Sequence, residues 1–437
     1  MIVAKFGGSS LSDAARFNQV RDIICSDANR RYLVVSAPGK RSSSDIKITD
    51  LLLDCHKLVK AGLPFDAEYS MIMIRFQEIA EGLGLTGYLD DKLVKEKTAI
   101  KQGASRDYIV SRGEYLCAML MAKWLDIPFI DAAEAICFDI NGKFDMDNTL
   151  PMLREALLSQ ERAVLPGFYG ADKEGNIHTF TRGGSDVSGA LAAAAVDAEL
   201  YENWTDVTGF RSADPRIIPD ASFISTLTYR ELRELSYMGA SVMHEEAVFP
   251  VRNAGIPTSI RNTGNPQHPG TLIVHSPRQI GKIPAVTGIA GKRGFSTIII
   301  EKNQMNDEIG FGRKVLEVLE KHCINFEHLP TGIDTMCVMV NTAALSKSKK
   351  AVLDEIDAAV LPDTLSVQEG IALVTCVGNG LFKKHGTIAR LFTAVSEQGI
   401  PIRTVFQAPS ELSIIIGISE DFLEKAIKAI YDAFIRE

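Results

Sequence analysis

Four short segments carry the residue types that could do chemistry. The first is Lys5-Phe6-Gly7-Gly8-Ser9-Ser10, where an apolar run ends and a helical pattern begins. Adjacent glycines let a backbone approach a phosphate closely, a helix start offers unpaired N–H groups, and Lys5 adds a full positive charge. This is the composition of an anion site, although a lone G-G-S turn reads equally well as a plain tight turn. The second is Thr181-Arg182-Gly183-Gly184-Ser185-Asp186, again a glycine pair opening a helix, with a guanidinium suited to gripping a carboxylate in two places. Its bland alternative is a helix start capped by Ser185 or Asp186. The third is Trp204-Thr205-Asp206-Val207-Thr208-Gly209-Phe210, followed by Asp214-Pro215-Arg216. Asp206 falls at the C-terminal end of a strand, where open α/β sheets place their ligands, whereas Asp214-Pro215 reads as a turn. The fourth, Ser111-Arg112-Gly113-Glu114, is by itself a helix with one acid. No G-x-x-x-x-G-K-[ST] loop occurs, and Gly378-Asn379-Gly380 lacks the third glycine of a dinucleotide fingerprint.

Strands alternating with helices must position these segments. Ile2–Phe6 reads as a strand, Phe17, Val20 and Ile24 recur at helical spacing behind a cap at Ser12, and residues 32–37 return as a strand before Pro38-Gly39. Further strands fit 163–168, 200–204, 258–261 and 271–275. An Ala-rich helix follows Ser185, one long helix is expected from Tyr229 to Asn253, and residues 172–181 read as a hairpin around Glu174-Gly175-Asn176. The alternation predicts an open, mainly parallel sheet flanked by helices. Around 276–284 the composition shifts to Pro, Gly, Arg and Lys, a linker. Beyond it an ungapped repeat pairs Gly310 with Gly386, Leu316 with Phe392, Leu319 with Val395, Ile324 with Ile400, Phe326 with Ile402 and Val338 with Ile414. Both copies read strand, helix, strand, strand, helix, which predicts two side-by-side α+β modules. The expected domains are 1–280, 285–368 and 369–437.

At 437 residues and 46% hydrophobic composition, the chain can bury several cores without staples. The longest apolar run, Ala190 to Val196, is too short to span a bilayer, and no leader precedes the first strand, so a cytoplasmic location is expected. Seven scattered cysteines with no C-x-x-C pair suit a reducing compartment and no structural zinc; no metal-ligating residue is assigned. A net charge of −8 argues against nucleic acid or an anionic membrane as partner.

The four segments, in this order, resemble the aspartokinases of the amino-acid kinase superfamily, which carry K-F-G-G-[ST]-S, S-x-G-E, G-R-G-G-S-D and T-D-V-x-G…D-P-R. The likeness extends through Thr49-Asp50-Leu51-Leu52, Pro166-Gly167-Phe168-Tyr169-Gly170 and Met238-Gly239-Ala240, and so covers essentially the whole chain. It implies an amino-acid-kinase-type sheet followed by two ferredoxin-like ACT modules. It implies that Lys5, Phe6, Gly7, Gly8, Ser9, Thr205, Asp206 and Arg216 bind ATP, with Lys5, Asp206 and Asp186 as the catalytic set organising Mg²⁺ or the lysine. On the acceptor side it implies Thr49, Glu114, Phe168, Arg182 and Ser185, with Arg182 on a carboxylate of L-aspartate and Glu114 facing its ammonium group. Two positions depart from the family pattern: Ser241 stands where many members have lysine, and Arg211 where tyrosine is usual, so Arg211 is expected to replace the lost cation in part. The resemblance places a regulatory amino acid, lysine or threonine, near Met305, Gly310, Phe311, Phe326, Glu327 and Thr331, and it implies a homodimer or dimer of dimers. The competing readings are a kinase for glutamate or acetylglutamate, and an amino-acid sensor whose kinase domain has lost activity.

Overall fold

The computed structural model describes every residue except 182, 240–244, 282, 408–411 and 437, and only the backbone of 245 and 246. The chain divides into two compact units. Among the described residues the first comprises 1–210, 223–236 and 245–281; the second comprises Arg211–Ser222, 237–239 and the remainder from 283 on. The stretch expected as a continuous domain over 1–280 therefore lends two short segments to the second unit.

The first unit is built on strands β1 (Ile2–Phe6), β2 (Arg30–Val35), β3 (Ala163–Pro166), the β4–β5 hairpin (Tyr169–Ala171 and Ile177–Thr179), β6 (Leu200–Thr205), β7 (Thr226–Thr228), β8 (Thr258–Asn262) and β9 (Thr271–Val274). The main sheet runs β3-β2-β1-β6-β8-β9-β7, parallel except where β8 meets β9. Strand alternation sends Ala4, Phe6, Leu33, Val35, Val164 and Trp204 into a core shared with the helices Ala14–Cys25, Ile48–Lys60, Asp66–Gly82 and Arg106–Leu125. Lys5 points the other way, towards the Ala-rich helix Gly184–Ala195. That helix lies so close that a Cβ on Gly189 would stand 3.0 Å from Lys5 Cβ and 2.5 Å from the Tyr201 hydroxyl. Small side chains make this approach possible.

Three local expectations differ from the structure. The Ala14–Cys25 helix is capped by Asp13, which accepts the Arg16 N–H at 2.9 Å; Ser12 instead donates to Asp13. A carboxylate at the helix start also complements the macrodipole. The helix expected over 229–253 is not continuous among the described residues: Tyr229–Tyr237 is followed by Gly239 at φ +101°, and the described residues beyond it include a 3-10 turn, Glu245–Val248, and the helix Phe249–Asn253. A positive φ ends an α-helix, and Gly is the residue that permits it. The third is smaller: β2 and β3 end two residues earlier than expected, releasing Ala37 and Phe168 into the loops at the strand ends. The hairpin is as expected, with Asp172 accepting the Glu174 and Asn176 N–H groups around Gly175 at φ +84°.

The second unit holds β10 (Gly288–Glu301), β11 (Phe326–His328), β12 (Thr335–Asn341), β13 (Thr364–Val377), β14 (Thr404–Gln407) and β15 (Ser413–Ser419) in one antiparallel sheet ordered β11-β12-β10-β13-β15-β14. The repeat is visible in it. Gly310 and Gly386 take left-handed conformations, φ +84° and +81°, at the N-termini of helices Phe311–Lys321 and Thr387–Ser396. Leu319, Ile324 and Val338 are buried in one core, and their partners Val395, Ile400 and Ile414 in the other. The pair Phe326 and Ile402 diverges, since Phe326 is 47% exposed. The two cores divide the long central strands between them: Ile298, Ile300 and Leu365 pack in the first, whereas Ile289, Ala372 and Val374 pack in the second. The expected boundary between 368 and 369 thus falls inside β13.

Glu202, 1% exposed on β6, ties the first unit's sheet together: it accepts Arg30 Nε at 2.7 Å and Nη2 at 3.1 Å, Trp204 Nε1 at 2.8 Å, and Arg261 Nη1 at 3.3 Å. Removing one partner of a buried pair leaves the other charge uncompensated. Glu202→Ala is therefore expected to lower stability by about 3–5 kcal/mol, read from the urea midpoint at unchanged slope.

Candidate active site

The first anion turn follows β1 directly. Gly7 N–H donates to the Trp204 carbonyl at 2.9 Å, and residues Gly8–Leu11 form a 3-10 turn. Close approach, rather than φ, explains Gly8: a Cβ there would lie 2.8 Å from the Ala37 carbonyl oxygen and 3.3 Å from Gly39. Lys5 is 7% exposed, and its amine lies 2.5 Å from Asp186 Oδ1 and 3.4 Å from Asn203 Oδ1. Asn203 Nδ2 in turn donates to Asp186 Oδ1 at 2.9 Å. Two of the three expected catalytic residues, Lys5 and Asp186, are thus in contact. Asp186 comes from the first turn of the Ala-rich helix, whose N-cap, Gly183, is left-handed at φ +56°.

Beside this turn opens a cleft of about 550 Å³, lined by Ser9, Ser10, Arg16, Lys40, Thr205 and Asp206, among others. Asp206 is exposed at the end of β6 and accepts the Thr205 hydroxyl at 3.1 Å; Ser10 and Thr263 share a hydroxyl contact at 2.7 Å. Arg211 and Arg216 are not among the residues lining this cleft. Both belong to the second unit, where Arg211 Nη1 donates to the Ala221 carbonyl at 2.6 Å and Arg216 pairs with Asp214 at 2.6 Å. Asp214 also accepts the Ile217 and Ile218 N–H groups, the turn expected there. Ser241 and Arg182 lie outside the described residues.

The acceptor-side residues gather around the ends of β2 and β3. Glu114 lies in Arg106–Leu125, next to Gly113, whose missing Cβ lets the helix press against Ala37 Cβ, with 2.8 Å to an added atom. Glu114 is 5% exposed, and its Oε2 has no hydrogen-bond partner among the described residues. Burial pushes its pKa up to about 8, against the opposing pull of the Ala37 backbone N–H and Arg112. Thr49 is half-buried in the first turn of Ile48–Lys60. Phe168 is held left-handed at φ +81°, its N–H on the Ser188 hydroxyl at 3.0 Å and its carbonyl on the Phe180 N–H at 3.0 Å. Ser185 meets Gly167, where a Cβ would come within 2.7 Å. Ala37 touches both halves of the site, since its carbonyl closes on Gly8 while its methyl and N–H serve Gly113 and Glu114.

Asn203 and Lys40 escaped the motif reading. Asn203 left a signal, because a polar residue in the buried middle of a strand, paired in register with Lys5, needs a polar partner. Lys40 belongs to none of the four motifs, and only its place in the cleft distinguishes it.

In the second unit, Met305 and Phe311 are buried in the first core beneath the helix start at Gly310. Glu327, on β11, accepts the Tyr237 hydroxyl, and Thr331 donates to the Leu329 carbonyl at 3.2 Å.

Residues 1–262 match the amino acid kinase family model and residues 374–434 an ACT domain model. Aspartokinase 3 of Bacillus subtilis is 37% identical over 451 residues, spanning 99% of this chain and 98% of its own. The lysine-sensitive aspartokinase 3 of Escherichia coli is 27% identical over 90% of each chain. The crystal structure of aspartate kinase from Clostridium acetobutylicum, an allosteric enzyme, superposes with a TM-score of 0.92 at 46% identity over 99% of both chains. The chain belongs to the amino acid kinase family, and within it to the aspartokinases. No helix among the described residues is long and apolar enough to cross a membrane.

Glu114 has a pH signature of its own. Burial lifts its carboxyl from the ordinary 4.5 to about 8, so the folded state holds the proton more tightly. That stabilisation is complete below the unfolded value and is lost as pH rises through the folded one. Glu114→Gln is expected to flatten the fall in stability between pH 5 and about 8, measured by denaturant titration across that window.

Proposed function

We propose that this chain transfers the terminal phosphoryl group of ATP to the side-chain carboxylate of L-aspartate, giving 4-phospho-L-aspartate, the first step towards lysine, threonine and methionine. The observation that carries this reading is the placing of a phosphate turn and a buried carboxylate, one of whose oxygens has no partner among the described residues, on opposite sides of one alanine, Ala37. Such a carboxylate calls for a cation, and an amino acid's ammonium group supplies one.

The acceptor carboxylate, with a pKa near ~4, is ionised at neutral pH and needs no base. The barrier is the approach of two anions. The chain's residues lower it by alignment and by preorganised positive potential. Lys5 and the N–H groups of Gly8 and Ser9 face the phosphates, and Gly7, whose N–H is bonded to the Trp204 carbonyl, fixes the turn that presents them. Glu114 takes the substrate ammonium, Arg182 a substrate carboxylate, and Thr49, Phe168 and Ser185 shape the pocket. Among the described residues no three of His, Cys, Asp and Glu form a metal cage. Magnesium, which is commonly held by one or two carboxylates plus phosphate oxygens, fits an exposed Asp206 in an oxygen-lined cleft. When bound it would neutralise phosphate charge.

Residues 1–280 form the proposed catalytic domain, and 285–368 and 369–437 the regulatory modules, with strand halves exchanged as described. The ligand of these modules is lysine or threonine, near Met305, Gly310, Phe311, Phe326, Glu327 and Thr331. The proposed assembly is a homodimer or dimer of dimers in the cytoplasm.

Purified protein with Mg-ATP and aspartate should yield an acyl phosphate trapped by hydroxylamine, reduced by lysine, threonine or both. Absence of trapped product from protein that still binds ADP would sink the kinase reading in favour of a sensor. The KM for aspartate should fall as pH rises from 6.5 to 8.5, because ligand binding needs Glu114 ionised and its free carboxyl titrates at about 8. In Glu114→Gln that slope should vanish.

A further inference from the structure

Three cations line the cleft beside the phosphate turn, and they are not equivalent. Arg41 is already neutralised, with Nε 3.2 Å from Asp45 and Nη1 2.6 Å from Glu78. Arg16 donates to Gln19 Oε1 at 2.8 Å. Lys40 is exposed, and its amine has neither an ion pair nor a hydrogen bond among the described residues.

The backbone around Lys40 is, by contrast, pinned on both sides. Gly39 N–H donates to the Gly8 carbonyl at 2.8 Å, and a Cβ on Gly39 would stand 2.6 Å from the Gly8 carbonyl carbon. The Gly39 carbonyl accepts Arg75 Nη1 at 2.9 Å, and the Arg41 N–H donates to Asp45 Oδ2 at 2.9 Å. Arg75 is itself paired with Asp45. One residue away from direct contact with the phosphate turn, therefore, a free amine is carried on a chain that cannot drift. That is the arrangement of a preorganised cation rather than of a solvated surface lysine.

The charge balance of the cleft gives it a task. Lys5 is shared with Asp186, and Arg211 and Arg216 are engaged with Ala221 and Asp214 in the second unit. We propose that Lys40 binds the phosphate chain of the nucleotide in the cleft beside Ser9, supplying positive charge that Lys5, paired with Asp186, does not supply alone. This rests on the kinase reading above.

The test compares Lys40→Met and Lys40→Arg with wild type in steady-state Mg-ATP and aspartate kinetics, with calorimetric titration of ADP alongside. Lys40→Met is expected to raise the KM for Mg-ATP about tenfold or more, the size of a lost charge-assisted contact, with the KM for aspartate within about twofold. Lys40→Arg should recover most of the loss. An unchanged KM for Mg-ATP in Lys40→Met overturns the proposal, and so does a change confined to the KM for aspartate. If Lys40→Met is inactive, the ADP titration decides: weakened binding supports the proposal and wild-type affinity overturns it. Wild type that binds ADP without turnover would defeat the kinase reading, and the same titration would still judge Lys40.

Discussion

The contact on which the first unit's site depends is the one between Lys5 and Asp186. A lysine on a central strand, 7% exposed, is tolerable only with a charge partner and hydrogen bonds to its remaining protons. That partner comes from a helix more than 180 residues further along the chain, and Asn203 on the neighbouring strand aligns the two. Bringing the helix start to the strand end requires Gly189 and the alanines around it, since a larger residue would meet Lys5 and Tyr201. The same approach carries Gly183-Gly184-Ser185 up against Gly167 and Phe168. One ion pair thus sets the distance between the two glycine turns.

Around that pair the site is electrically divided. The side proposed for the nucleotide gathers lysine, arginine and backbone N–H groups, whereas the side proposed for the acceptor holds a carboxylate that burial keeps from ionising easily. Ala37 separates the two, and it has to be small. Its carbonyl, N–H and methyl each meet a different neighbour at contact distance. A larger residue there would separate the phosphate turn from Glu114, and alignment of the reacting groups is the main resource of a phosphoryl transfer that needs no base.

Much of this was legible in the sequence, for physical reasons that differ by region. Glycine pairs at strand ends, strand–helix alternation and the repeat beyond residue 285 are local patterns, and each corresponds to a feature of the structure. The long helix over 229–253 was misread because its apolar periodicity continues past Gly239, where the backbone turns left-handed. Asp13 rather than Ser12 caps the first helix because two good caps stood side by side and only geometry chooses between them. Arg211 illustrates a deeper limit. Its position in the motif pointed to the nucleotide, but the chain from Arg211 to Ser222 packs with the second unit, and its guanidinium is taken by a carbonyl ten residues on. Lys40 is the converse case, an ordinary basic residue by pattern whose setting is created by glycine contacts between distant segments.

The strands β10 and β13 have a consequence for how the C-terminal half is constructed. Each gives one half to one core and the other half to its neighbour, so the second core is completed by Val286 and Ile289, which precede in the chain every residue of the first core. The duplicated units are therefore interlocked and cannot be exchanged as linear cassettes. A chain begun at residue 369 would lack a wall of its own hydrophobic interior, and a graft of either copy into another protein would have to carry both central strands with it.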